Sequence, residues 1–103
     1  MSYFVYTKLV FEWDPRKARA NAEKHGVSFD DAVTVFFDND ALDGLDIQHS
    51  SSERRFLRLG KAVDRRILIV AYTLRRSGDA EKIRIISARR ASRRERAAYN
   101  AKD

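Results

Sequence analysis

Arginine is the residue type in this chain best equipped for chemistry. Arg55, Arg58, Arg75 and Arg89 each lie within or at the end of an apolar run, where a fold can hold a guanidinium still. A fixed guanidinium stabilises extra negative charge on a phosphate, and such preorganised charge is often the largest catalytic contribution. Other chemistry is poorly provided for. The chain has no cysteine, so it has no thiol nucleophile, disulfide framework or cysteine zinc site. It has 2 histidines. His25, beside Gly26, reads as a helix-end residue favoured by the dipole; His49 reads as a solvent-exposed loop residue. There is no HExxH, acidic metal cluster or glycine-rich phosphate loop, so a metal-dependent nuclease is disfavoured and no cofactor is expected.

Charge distribution points the same way. The formal net charge is +6 over 103 residues. Residues 1–50 carry −4 and residues 51–103 carry +10, an asymmetry expected of a surface that meets a polyanion. Arginine far outnumbers lysine in the second half, and its planar fork suits bidentate phosphate contacts better than a point charge does. A basic face that serves only solubility is the plainer alternative. The length predicts one domain spanning 1–103. With 44% hydrophobic and 35% charged residues, the composition suits a folded domain with a charged surface. No apolar run approaches a membrane span, the start lacks a cleavage signal, and the absence of cysteine favours the cytoplasm.

The elements that must position these arginines are readable in order. Leu9–Trp13 predicts a strand. Asp14-Pro15 opens a helix that ends at Gly26, with Asp14 as N-cap and the glycine as left-handed C-cap. Ser28 caps a second helix, whose buried face is Phe29, Ala32, Val33, Phe36 and Phe37. Strands follow at Leu42–Ile47, Arg54–Gly60, Arg66–Leu74 and Lys82–Ser87, with a turn at Ser77-Gly78-Asp79. Short connections between the last three predict antiparallel hairpins. Regular alternation sends Arg55 and Arg58 to opposite faces, so they share a site only if a bulge intervenes. Arg75 and Arg89 end two adjacent strands. Ser92-Arg93-Arg94-Glu95 is a capping box opening a short final helix, although two arginines in its first turn oppose the dipole. The fold class is α+β: two N-terminal helices on a small antiparallel sheet, then a short C-terminal helix.

Several segments together resemble the BrnT toxin family. They are Phe11-Glu12-Trp13-Asp14, the run Asn21–Phe29, Arg55-Phe56 before Gly60, and the run Ile83–Ala91, followed by Glu95 and Tyr99. The likeness spans about residues 9–100. It implies a RelE-like fold and a toxin that cleaves RNA, arresting translation and growth. It also implies a BrnA-like ribbon-helix-helix antitoxin as partner, with operator DNA bound only through the toxin–antitoxin complex. Two departures stand out. Residues 1–8 extend past the usual start and would lengthen the first strand. Arg54 stands where an acidic residue is common, with Glu53 one position earlier, and a one-residue shift in a strand reverses the face.

Metal-independent RNA cleavage uses the neighbouring 2′-OH as nucleophile. The expected catalytic residues are Arg55, which the family motif favours, Arg75 and Arg89. Tyr99 joins them by analogy with RelE-like toxins, stacking on a base or shifting a proton; its ring could equally serve to dock the final helix. Glu95 is expected as a cap. Arg54, Arg58, Arg84, Arg93 and Arg94 are the expected RNA contacts. A non-catalytic nucleic-acid-binding module, or a protein-interaction module whose arginines meet an acidic partner, remains the alternative.

Overall fold

The computed structural model describes residues 2–6, 9–78 and 80–101. The chain runs β1 (Ser2–Tyr6), β2 (Leu9–Trp13), α1 (Pro15–His25) and α2 (Phe29–Thr34), which a 3-10 turn continues over Val35–Phe37. Then come β3 (Leu42–Leu45), β4 (Arg55–Lys61), β5 (Ile67–Ser77), β6 (Ala80–Arg90) and α3 (Arg93–Ala101). The strands form one six-stranded sheet in the order β1-β2-β6-β5-β4-β3.

The helix ends follow from local chemistry. The Asp14 side chain accepts from the Arg16 amide at 2.9 Å, Pro15 sits at the first helical position, and Gly26 closes α1 at φ 69°. Ser28 Oγ accepts from the Asp31 amide at 3.0 Å. The Asp31 carboxylate does not complete a capping box; it pairs instead with Arg66 at 2.8 Å. The helix predicted through Phe37 tightens at Val35, because the turn packs directly on β4. Gly60 permits that approach: a Cβ there would meet Val35 Cγ1 at 2.6 Å. Gly78 turns with φ 64°, and Asp79 of the predicted turn lies outside the described residues.

The expectation of an antiparallel sheet is corrected. β2 runs parallel to β6, with Phe11 opposite Ile83, while the other neighbours are antiparallel. A parallel neighbour needs a long crossover, and here the whole stretch from α1 to β5 intervenes. Nor does the N-terminal extension lengthen the first strand; Ser2–Tyr6 is a strand of its own, antiparallel to β2.

The two faces of the sheet differ. On one, α1 and α2 cover β6, enclosing Phe11, Phe29, Leu68 and Ile85, all fully or almost fully buried. Each such side chain contributes about 1.5–3 kcal/mol by leaving water. Trp13 meets Phe29 edge to face at 5.9 Å. On the other face, α3 covers only one end of the sheet, through a small cluster of Leu59, Ile69, Ala91 and Tyr99.

Between the two regimes β6 contains a bulge. Ala71 lies opposite Ser87, but Tyr72 lies opposite Ile85, so Ile86 is an extra residue. It shifts the alternation. Ile83 and Ile85 face the helices, and so does Ala88; Ser87 and Arg89 therefore face the other way.

Candidate active site on the uncovered sheet face

A hollow of about 320 Å³ opens on the face that α1 and α2 leave bare. Its floor is Leu57, Ile69 and Ala71, and its polar rim includes Asp46, His49, Arg55, Ser87 and Arg89. Two of the expected catalytic arginines are thus brought together. β4 supplies Arg55 by alternation from Leu57, and β6 supplies Arg89 through the bulge.

Arg89 is held from behind. Its guanidinium makes a two-pronged contact with Glu95, Nη1 to Oε1 at 2.8 Å and Nη2 to Oε2 at 3.0 Å. Glu95 is also the reciprocal half of the α3 capping box: Oε1 accepts from the Ser92 amide at 2.8 Å, and Ser92 Oγ accepts from the Glu95 amide. Arg89's hydrogen bonds, assisted by the Ser92 amide, outweigh burial and hold the Glu95 carboxyl at about 2. The same contact pushes Arg89 up. Both ends of the pair remain ionised, and Arg89 keeps 43% of its side-chain surface open to solvent.

Arg75 is not part of the hollow. It lies on the same face but opposite Lys82, whereas Arg89 lies opposite Ile69. Six residues of strand, about 20 Å, separate those positions. The reason is the antiparallel pairing itself, which sets the end of β5 against the start of β6. Arg75 instead approaches Glu53 at 3.3 Å.

Arg58 points to the helix side, as alternation requires. It donates to the carbonyls of Val35 and Asp38 at 3.1 Å each, pairs with Asp43 and lies over the Phe36 ring. Those commitments tie the 3-10 turn to the sheet and occupy the guanidinium expected to contact RNA. Arg84 lies opposite Thr73 and Glu12, with its guanidinium 3.8 Å from the Glu12 carboxylate and only 16% of its side chain exposed. Arg54, Arg93 and Arg94 are exposed.

Tyr99 is buried in the α3 contact, with its hydroxyl on Asp38 Oδ2 at 2.5 Å. Burial and that carboxylate push the phenol up to about 12. Its ring anchors α3 and does not line the hollow.

His49, an exposed loop residue as its sequence predicts, stands on the rim of the hollow. Its Nδ1 lies 3.0 Å from Asp46 Oδ2 and 3.1 Å from Oδ1. The only trace in the sequence is the Asp46-x-x-His49 spacing. Among the described residues, no group of three or more His, Cys, Asp or Glu side chains is placed to hold a metal ion. No helix among them is long and apolar enough to cross a membrane.

A mixed α+β sheet with an arginine-rimmed hollow on its uncovered face defines a small domain suited to a polyanion. The family model described as "Ribonuclease toxin, BrnT, of type II toxin-antitoxin system" matches residues 13–95, and the chain belongs to that family. In fold it is similar to the crystal structure of the Brucella abortus ribonuclease toxin BrnT. The TM-score is 0.59 and the identity 24%, over 84% of this chain and 100% of that one. No curated protein matches the chain.

Proposed function

We propose that this chain is a one-domain, RelE-like endoribonuclease toxin. It cleaves RNA without a metal, through the 2′-OH, and so stops translation and growth in the cytoplasm. The observation that carries this reading is that Arg55 and Arg89 both stand on the rim of one apolar-floored hollow. Two guanidiniums there clamp the scissile phosphate and meet the charge that builds on it as the pentavalent state forms. The apolar floor strengthens both contacts by excluding water.

Arg54, Arg93 and Arg94 then hold the phosphates on either side, and Arg75 and Arg84 add positive field at the far end of the face. Tyr99 acts by fixing α3, and through it the Glu95 support of Arg89. The partner is a BrnA-like ribbon-helix-helix antitoxin that covers the basic face with acidic or apolar side chains. Operator DNA is met only through that complex.

The test pairs growth with chemistry. Expression of the toxin alone arrests growth, and co-expression of a BrnA-like ribbon-helix-helix antitoxin relieves it. Purified toxin, with chelator present, cleaves free or ribosome-bound RNA. It leaves intact the same RNA carrying a 2′-deoxy sugar at the scissile position. RNA binding without cleavage in both settings would overturn the enzyme reading in favour of a binding module.

A further inference from the structure

We infer that His49, oriented by Asp46, is the proton-transfer residue of this site. The inference rests on the ribonuclease reading above and adds the residue that reading lacks. Arginines stabilise charge, but with side chains that stay protonated they do not take the proton from a 2′-OH. Some group on the rim must, and the hollow offers one of suitable type.

The geometry is that of an oriented base. An ionised carboxylate only accepts hydrogen bonds, so the contact between Asp46 and Nδ1 requires the proton on Nδ1. That leaves the Nε2 lone pair unprotonated, which is the tautomer a base needs. Exposure divides the pair into the same roles: the Asp46 side chain is 12% exposed and that of His49 is 61% exposed. The carboxylate is set back, and the imidazole stands at the mouth of the hollow.

The loop is built to hold this arrangement. The Asp46 amide donates to the Arg55 carbonyl at 2.8 Å. Ser50 Oγ donates to the Asp46 carbonyl at 2.6 Å and accepts from the Arg55 amide at 2.9 Å. The segment carrying Asp46 and His49 is therefore clamped at the first residue of β4, and that residue is Arg55 itself. The charged groups around the imidazole are Asp46 on its own segment, Arg55 from β4, and Arg89 from β6 with its Glu95 partner.

The step balances with water alone. Nε2 takes the proton from O2′; O2′ bonds to phosphorus; the bond from phosphorus to O5′ breaks. The departing O5′ takes a proton from water, and the imidazolium neutralises the hydroxide left behind. The products are a 2′,3′-cyclic phosphate and a 5′-hydroxyl, with His49 returned to its starting form.

The test compares wild type, His49→Ala, His49→Gln, Asp46→Asn and Arg89→Ala on one RNA substrate across pH, with circular dichroism as a check on folding. His49→Ala and His49→Gln are expected to lose about 10²- to 10⁴-fold in kcat. They also lose the fall in rate at acid pH that a histidine base produces, and added imidazole restores part of the rate of His49→Ala. Asp46→Asn lowers kcat with little change in KM and displaces the acid limb of the profile. Wild-type rate and an unchanged pH profile in both His49 variants, with Arg89→Ala inactive, would overturn the inference and leave the ribonuclease reading standing. Failure of the wild type itself to cleave free or ribosome-bound RNA would remove both.

Discussion

Asn21 of α1 stands beside Ala88 of β6 where a neighbouring strand would otherwise be. Its carboxamide accepts from the Ala88 amide at 3.0 Å and donates to the Ala88 carbonyl at 2.8 Å. A further donation, to the Val27 carbonyl at 3.0 Å, fixes the chain after α1. β2 pairs with β6 only at Lys82–Arg84, so this one side chain closes the strand edge next to Arg89.

Asn21→Leu should therefore be severely destabilising. It leaves three buried backbone groups unpaired, each costing about 1–3 kcal/mol. Urea unfolding should show a loss of at least about 2 kcal/mol. A change within error would mean that water replaces the carboxamide.

Arg58 and Arg89 should separate stability from activity. Arg58→Ala removes the bonds that hold the 3-10 turn and should cost roughly 1.5–3 kcal/mol, with kcat nearly unchanged at a temperature where the variant is folded. Arg89→Ala breaks a partly exposed ion pair of small worth but should lower kcat about 10²- to 10³-fold. Thermal melts and cleavage rates on the same preparations decide the matter; the reverse pattern would place the site on the helix side.

The Arg89–Glu95 pair should appear in acid stability. The Glu95 carboxyl is held at about 2, below the ordinary glutamate value of 4.5. A depressed folded value means that its contribution is fully present above about pH 4.5 and lost as pH falls toward 2. Wild type should lose stability across that window more steeply than Glu95→Gln. Parallel curves would show that the contact is not kept in solution.

Thr73 carries a buried hydroxyl with no hydrogen-bond partner. Thr73→Val keeps the shape and removes the unpaired group, so the variant should be as stable as wild type or more so, by up to about 1 kcal/mol. A clear loss in the melting temperature would reveal a water bound to Oγ1.

What was legible in the sequence was the chemistry of near neighbours. Asp14, Gly26, Ser28, Ser92 and Glu95 act within a few residues of themselves, and their types alone predict the helix ends. The parallel pairing of β2 with β6 joins Phe11 to Ile83 across most of the chain, and nothing in either segment announces it. The place of Arg75 follows from the antiparallel hairpin that the short connection already predicts, since such a pair sets the end of β5 against the start of β6 and away from Arg89. His49 is an exposed loop residue, as its sequence predicts; what the sequence hides is that its partner and its clamp, Asp46 and Ser50, become neighbours of Arg55 only when the chain turns back. Tyr99 had two readings, and its burial against Leu59 and Ile69 supports the packing role.

The bulge at Ile86 left one faint mark, the adjacent apolar pair Ile85-Ile86 where strict alternation predicts one inward residue. Its consequence is a reading frame within β6. Loss of that single codon would straighten the strand and still leave Ser87 and Arg89 facing the hollow, whereas pairing Ile86 regularly with Ala71 would turn Ser87 and Arg89 inward and Ala88 outward. A point substitution at Arg89 deletes one guanidinium; a one-residue slip that paired Ile86 with Ala71 would set Arg89 opposite Leu68, bury a charge among the core side chains and leave the hollow without its second wall.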